Sequence, residues 1–206
     1  MAMALRTSAW HLAALVLGLA IAVGGPATIR AGGLMQPAQS TSEAPTRAQR
    51  LDELFSFLKT AKSEDEGDAI VADIWKLWLQ SSDPAVDGEM QRAIAVMAHG
   101  LPALALPILD DIVARAPGWS EGWNKRATVL FMMGEHDRSL ADIDRVLALE
   151  PRHFGALAGI GLIRIAKGEN REALAALRKA LGYNPFLKER YGLIPALERE
   201  LGEKPL

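Results

Sequence analysis

The chain contains no cysteine, and that absence excludes disulfides, thiolate metal sites, cysteine nucleophiles and a lipid-modified N-terminal cysteine. The fold must hold by packing alone. Charge of one sign is also lacking. The formal net charge is −2 over 206 residues, and acidic and basic side chains are interspersed from Glu43 onward, so no electrostatic footprint for nucleic acid exists. Histidine is sparse: His11, His99, His136 and His153 form no pair with metal-ligand spacing on one helix. His99 with Asp110 or Asp111 falls short of a ligand set. The acidic run Ser63 to Asp68 lacks the alternating ligands of a calcium loop and reads as the charged start of a helix. No nucleophile with a base, no phosphate loop and no paired carboxylates are evident, so the expectation is a non-catalytic protein without a cofactor or metal.

The first forty-two residues contain no Asp or Glu. His11 to Val23 is an apolar run preceded by Arg6 and followed by Gly24, Gly25 and Pro26, the pattern of a signal peptide with cleavage after Ala27 or Ala31. The uncharged stretch Thr7 to Ile29 also has the length of a membrane span, so residues 1–31 read as a signal peptide or a retained anchor. If retained, Ala14, Gly18 and Ala22 form a small-residue ridge suited to helix pairing. An amphipathic transit peptide fits this hydrophobic segment less well. Either main reading places the rest of the chain outside the cytoplasm, in the cell envelope, and in the periplasm for a bacterium. Residues 32–46, rich in Gly, Pro, Ser and Thr, read as a flexible spacer, and the folded part is expected over 47–206.

What is abundant is apolar residues, 50% of the chain, arranged with a long period. Pro117, Pro151 and Pro185 stand 34 residues apart, and the segments 86–117, 120–151 and 154–185 align without a gap. The middle segment carries Trp123, Ala127, Leu130, Gly134, Ser139, Ile143, Val146 and Pro151 at matching places. The last carries Leu157, Ile160, Gly161, Gly168, Ala173, Leu177, Ala180 and Pro185, and the first keeps Ala93, Val96, Gly100, Ala105, Leu109 and Pro117. This pattern resembles the tetratricopeptide-repeat family over about half of the chain. The resemblance implies an all-α fold, a superhelix (α-solenoid) of antiparallel helix pairs, in which Ala93, Ala127 and Gly161 let paired backbones approach. Gly100, Gly134 and Gly168 are expected to end the first helices in the left-handed conformation, and the prolines to stop the second ones. Upstream, Arg47 to Ala61 and Asp68 to Gln80 have helical periodicity and read as a fourth, degenerate pair over 47–82. Downstream, 186–202 reads as a C-terminal capping helix with Tyr191, Ile194, Leu197 and Leu201 inward and a kink at Gly192 and Pro195. Pro107 is expected to bend its helix, and Pro102 to sit near that helix's start.

The resemblance further implies that a partner protein binds the concave face, lined by the first helix of each pair. There it places Met90, Ile94, Met97, Asn124, Thr128, Phe131, Met132, Ala158, Leu162 and Ile165. Relatives that clamp acidic chaperone tails use Lys, Asn and Arg at positions occupied here by Met90, Ile94, Lys125, Gly155 and Gly159. Only Lys125 suits, so a chaperone C-terminal tail is not expected. An apolar groove bearing methionines suits a peptide or amphipathic helix of another protein. The alternative is a groove filled by the chain's own capping helix or by the 32–46 spacer. Trp75, Trp78, Trp119 and Trp123, at one-turn spacing, are expected to pack. Arg92 and Arg126 stand where a large apolar residue is usual, which suggests ion pairs Arg92–Asp110 and Arg126–Asp144 within each hairpin. Arg164 has no evident partner and is expected to reach solvent.

Overall fold

Five of the described α-helices begin at a side-chain cap or a proline, and the first helix of each repeat stops at a glycine. The structure, a computed structural model, describes residues 44–205; the segment expected to be a signal peptide or anchor and most of the spacer lie outside the described residues. Thr46 opens α1 (Arg47–Thr60) with a reciprocal capping box: its hydroxyl accepts from the Gln49 N–H at 3.3 Å, and its own N–H donates to Gln49 Oε1 at 2.7 Å. Ser63 caps α2 (Glu64–Trp78) by accepting from the Glu66 N–H at 3.2 Å. This helix starts four residues earlier than its apolar periodicity suggests. The reason is that Glu64, Asp65 and Glu66 form its first turn, where carboxylates complement the helix dipole.

Three helix pairs follow with the period read from the prolines: α3 (Pro84–Ala98) with α4 (Pro102–Arg115), α5 (Ser120–Met132) with α6 (His136–Leu149), and α7 (Phe154–Ala166) with α8 (Asn170–Tyr183). Gly100, Gly134 and Gly168 adopt φ of 71°, 79° and 78°, which ends each first helix in the left-handed region. Pro102 occupies the first turn of α4, and Pro107 lies inside that helix, which continues through it. Between paired helices the contact is tight at the small residues. A Cβ on Gly161 would stand 2.6 Å from Leu177 Cγ, and the Ser139 hydroxyl donates to the Ala127 carbonyl at 2.7 Å.

After Tyr183 the chain makes a short 3-10 turn (Lys188–Tyr191) and then α9 (Leu193–Leu201). The expected single capping helix is therefore two pieces, divided at Gly192. Ile194 and Leu197 are buried as expected, but Tyr191 is 57% exposed because it falls on the turn and not on α9. Arg178 of α8 anchors α9 by donating to Glu198 Oε1 at 2.9 Å and to the Lys204 carbonyl at 3.0 Å.

The N-terminal pair departs from a simple stack. A degenerate repeat would lie against α3, yet α1 and α2 share their buried apolar residues with the other end of the chain. Leu51, Phe55, Leu58, Ile74 and Trp78 belong to one contiguous core with Phe154, Leu174 and Leu177. Only Leu79, just past α2, packs into the core of the α3–α4 pair. The link explains the redirection. Five residues, 79–83, join α2 to α3 where four join each later pair to the next, and Ser82 has φ of 79°.

Gly161 and Gly88 separate packing from propensity. Gly161→Ala places its methyl group against Leu177 and should destabilise the fold by about 1–3 kcal/mol through overpacking. Gly88→Ala, with open space around it in α3, should stabilise by about 0.5–1 kcal/mol. Urea unfolding of the two variants measures both signs.

Candidate functional site

The first helices α3, α5 and α7 carry the residues placed on the concave face, and the structure divides them. Met90 and Met97 are 0% and 2% exposed, locked into the core of the α3–α4 pair with Ala105 and Leu109. They offer no surface to a partner. Asn124, Ala158 and Leu162 are also buried, whereas Ile94, Thr128, Phe131, Met132 and Ile165 keep part of their surface. Between α5 and α7, Asn124, Thr128, Phe131, Gly155 and Leu162 line a cavity of about 30 Å³, room for one water.

The burial on α7 has one main cause, which sequence reasoning missed: the α1–α2 hairpin lies across that helix. The Trp75 ring stands 2.8 Å from where a Gly155 Cβ would be, so the glycine opens the seat for the indole. Trp78 stacks face to face on His153, with ring centroids 4.0 Å apart and planes inclined by 8°. Phe55 and Trp75 meet Phe154 edge-on. Farther along, Phe186 covers Gly67, Arg152 pairs with Asp52 at 2.6 Å, and Lys188 pairs with Asp68 at 2.8 Å. The groove is thus partly filled by the chain itself, but by its N-terminal helices and not by α9. The tryptophans pack, as expected. Trp119 donates its indole N–H to the Trp78 carbonyl at 2.7 Å, and Trp123 to the Pro117 carbonyl at 2.9 Å.

Beneath the two indoles lies a polar cluster. Glu121 is fully buried, and its Oε2 faces His153 Nε2 at 3.1 Å and accepts from Asn124 Nδ2 at 3.0 Å. Its Oε1 has the Lys125 ammonium at 2.8 Å, an ion pair lying off the hydrogen-bond direction. His153 Nδ1 accepts from the Ala156 N–H at 3.1 Å, capping α7, so Nε2 carries the proton and donates to Glu121. Burial pushes the Glu121 carboxyl up, but the close Lys125 ammonium and the hydrogen bond from His153 together outweigh it and hold it down at about 2. Lys125 Nζ also lies 5.3 Å from the Trp75 ring centroid.

The arginines pair differently from expectation. Arg126 makes a bidentate contact with Asp142, 2.8 Å for each bond, and a third bond of 2.9 Å to Asp110 of the preceding pair; Asp144 is not its partner. Asp110 being engaged by Arg126, Arg92 turns to Glu89 at 3.1 Å on its own helix. Arg164 finds Glu169 across the α7–α8 turn. Among the described residues no three His, Cys, Asp or Glu side chains gather to hold a metal, and no helix is long and apolar enough to cross a membrane.

No protein-family model matches the chain. A TPR repeat-containing protein of Rhizobium etli is 36% identical over 160 residues, 78% of each chain. The chain belongs to the tetratricopeptide-repeat family. A human FK506-binding protein-like protein matches at 31% over 85 residues, 40% of this TPR protein and 24% of the human one. Among solved structures, the TPR domain of Sgt2 from Aspergillus fumigatus superposes with a TM-score of 0.54 at 19% identity, over 58% of this chain and 81% of that domain. MamA superposes at 0.53 and 22%, over 68% and 79%. These two likenesses concern the fold alone, the scaffold on which TPR proteins bind other proteins or peptides. In this TPR protein Lys125, at a position where relatives clamp chaperone tails, is committed to Glu121 beneath Trp75.

Because the folded-state carboxyl of Glu121 lies below its ordinary value of 4.5, the stability it contributes is present above that value and is lost as pH falls toward 2. Urea midpoints measured between these limits should fall steeply for the wild type and less steeply for Glu121→Gln, which has no carboxyl to protonate.

Proposed function

We propose that this TPR protein is a non-catalytic scaffold or adaptor of the cell envelope, holding a peptide or amphipathic helix of a partner protein on its concave face. The observation that carries the reading is the row Ile94, Thr128, Phe131, Met132 and Ile165. These half-buried residues, four of them apolar, keep part of their surface open in a row along successive first helices. The acid-free segment 1–31 supports export, with the mature N-terminus deciding between cleavage and anchoring. Half-buried methionine and phenylalanine suit an adaptable contact with apolar side chains more than a charged tail.

A photoreactive residue at Phe131, with another at the exposed Arg138 of α6 as control, tests the groove in the native cell. One dominant cross-linked protein at Phe131 and none at Arg138 is the expected result. Equal capture at both positions, or none at either, would count against the concave face as the partner site.

A further inference from the structure

We propose that the α1–α2 hairpin is a displaceable occupant of a recognition slot on α7, and that the partner which takes the slot is an amphipathic helix carrying two aromatic side chains one turn apart, as α2 carries Trp75 and Trp78. The proposal rests on the reading of the concave face as the partner surface, and names the partner's chemistry and the control of its access.

The slot has the features of a built site. Gly155 leaves room for one indole, the His153 ring receives the other in a parallel stack, and Lys125 lies under the first. Its floor is polar. Glu121, Lys125, Asn124 and His153 pair with one another from α5 and the cap of α7 alone, Glu121 Oε1 through the Lys125 charge, and no hydrogen bond among the described residues joins that cluster to the hairpin. When the hairpin leaves, none of these groups loses a hydrogen-bond partner; Lys125 and His153 give up their contacts with the two indoles and, like the asparagine, meet water favourably. A permanently covered seam would be better filled with apolar side chains.

The hairpin itself is held in a way that favours release. Trp78 Nε1 is buried without a hydrogen-bond partner, a cost that vanishes on undocking. The ion pairs Asp52–Arg152 and Asp68–Lys188 that fasten it are at the surface, where such pairs contribute little, and the buried Trp119 bond to the Trp78 carbonyl sits at the very end of α2, beside the link. Arg152 retains Glu150 when Asp52 departs. The 79–83 link, with Ser82 the non-glycine residue at positive φ among those described, is placed to act as the hinge.

Two measurements on the full chain test this. Native-state hydrogen exchange should show residues 47–78 opening as a unit, well ahead of 120–183; exchange of both only through global unfolding would overturn the proposal. In the second, a labelled synthetic peptide of residues 64–80 is titrated onto the Asp52→Cys/Arg152→Cys variant. Its two thiols are unique in a chain without cysteine and can be bridged by a short bis-maleimide. The peptide competes with a tethered copy of itself, so binding is weak. Bridging should reduce it by about tenfold or more by holding that copy in place, and a peptide with both tryptophans changed to alanine should not bind. Equal binding with and without the bridge, or no binding to the unbridged chain, would overturn the slot. Partner capture at Phe131 unaffected by the bridge would overturn the slot while leaving the scaffold reading intact. Bridge-sensitive peptide binding without any capture at Phe131 would uphold the slot and remove the scaffold reading.

Discussion

Two indoles seated on one histidine and one glycine hold the two ends of the described helical array together. Trp78 on His153 and Trp75 against Gly155 fix α2 across α7, and through Phe55 they bring α1 onto Phe154. The consequences are long-range. The core that contains these rings also contains Leu174 and Leu177 of α8 and Ile194 and Leu197 of α9, so the first and last described elements share one interior. An open solenoid has contacts only between neighbouring repeats; here the N-terminal hairpin contacts the third pair and gives the array a closure of its own.

Within the array, the joints are of two chemical kinds. The α3–α4 pair meets α5 through apolar packing that includes Trp119 and Val129, and through Arg126, which reaches back to Asp110 while gripping Asp142 of its own pair. The α5–α6 pair meets α7 through Ala127, Ile143, Val146, Ala156 and Ile163. Ile160 takes the place of the arginine in the third pair and packs against that cluster, so a salt-bridged joint gives way to an apolar one along the chain. The counterpart in the first pair is Arg92, whose side chain is 65% exposed where no preceding pair stacks and which pairs with Glu89 on its own helix.

The period of 34 residues, the left-handed glycines and the close approach at Gly161 were legible in the sequence, because each follows from local chemistry: a required φ, a missing N–H, a side chain too large for a backbone contact. The seat of the hairpin was not. Helical periodicity in 47–80 marks which faces are apolar, but Trp75 and Trp78 would present the same face to α3 as to α7. The choice is made by the extra linker residue, by Ser82 and by Gly155, whose role appears only when an indole is beside it. Three differences of detail have similar origins. Met90 and Met97 were placed on the concave surface by position in the repeat, while the packing around Trp119 and Val129 encloses them. The arginine partners were sought directly opposite within each hairpin, yet Arg126 lies sixteen residues from Asp110 and from Asp142 alike and binds both. Tyr191 was counted with the inward face of a helix that Gly192 does not allow to form.

The central claim is the position of α2, and nuclear Overhauser contacts to the indole of Trp78 test it most directly. The account predicts strong contacts between that indole and the His153 ring, 4.0 Å away between centroids, together with contacts from Trp75 to the Gly155 α-protons. Contacts from Trp78 to Ala95 or Arg92 of α3 in their place would mean that the hairpin stacks as an ordinary preceding repeat, and would contradict the account.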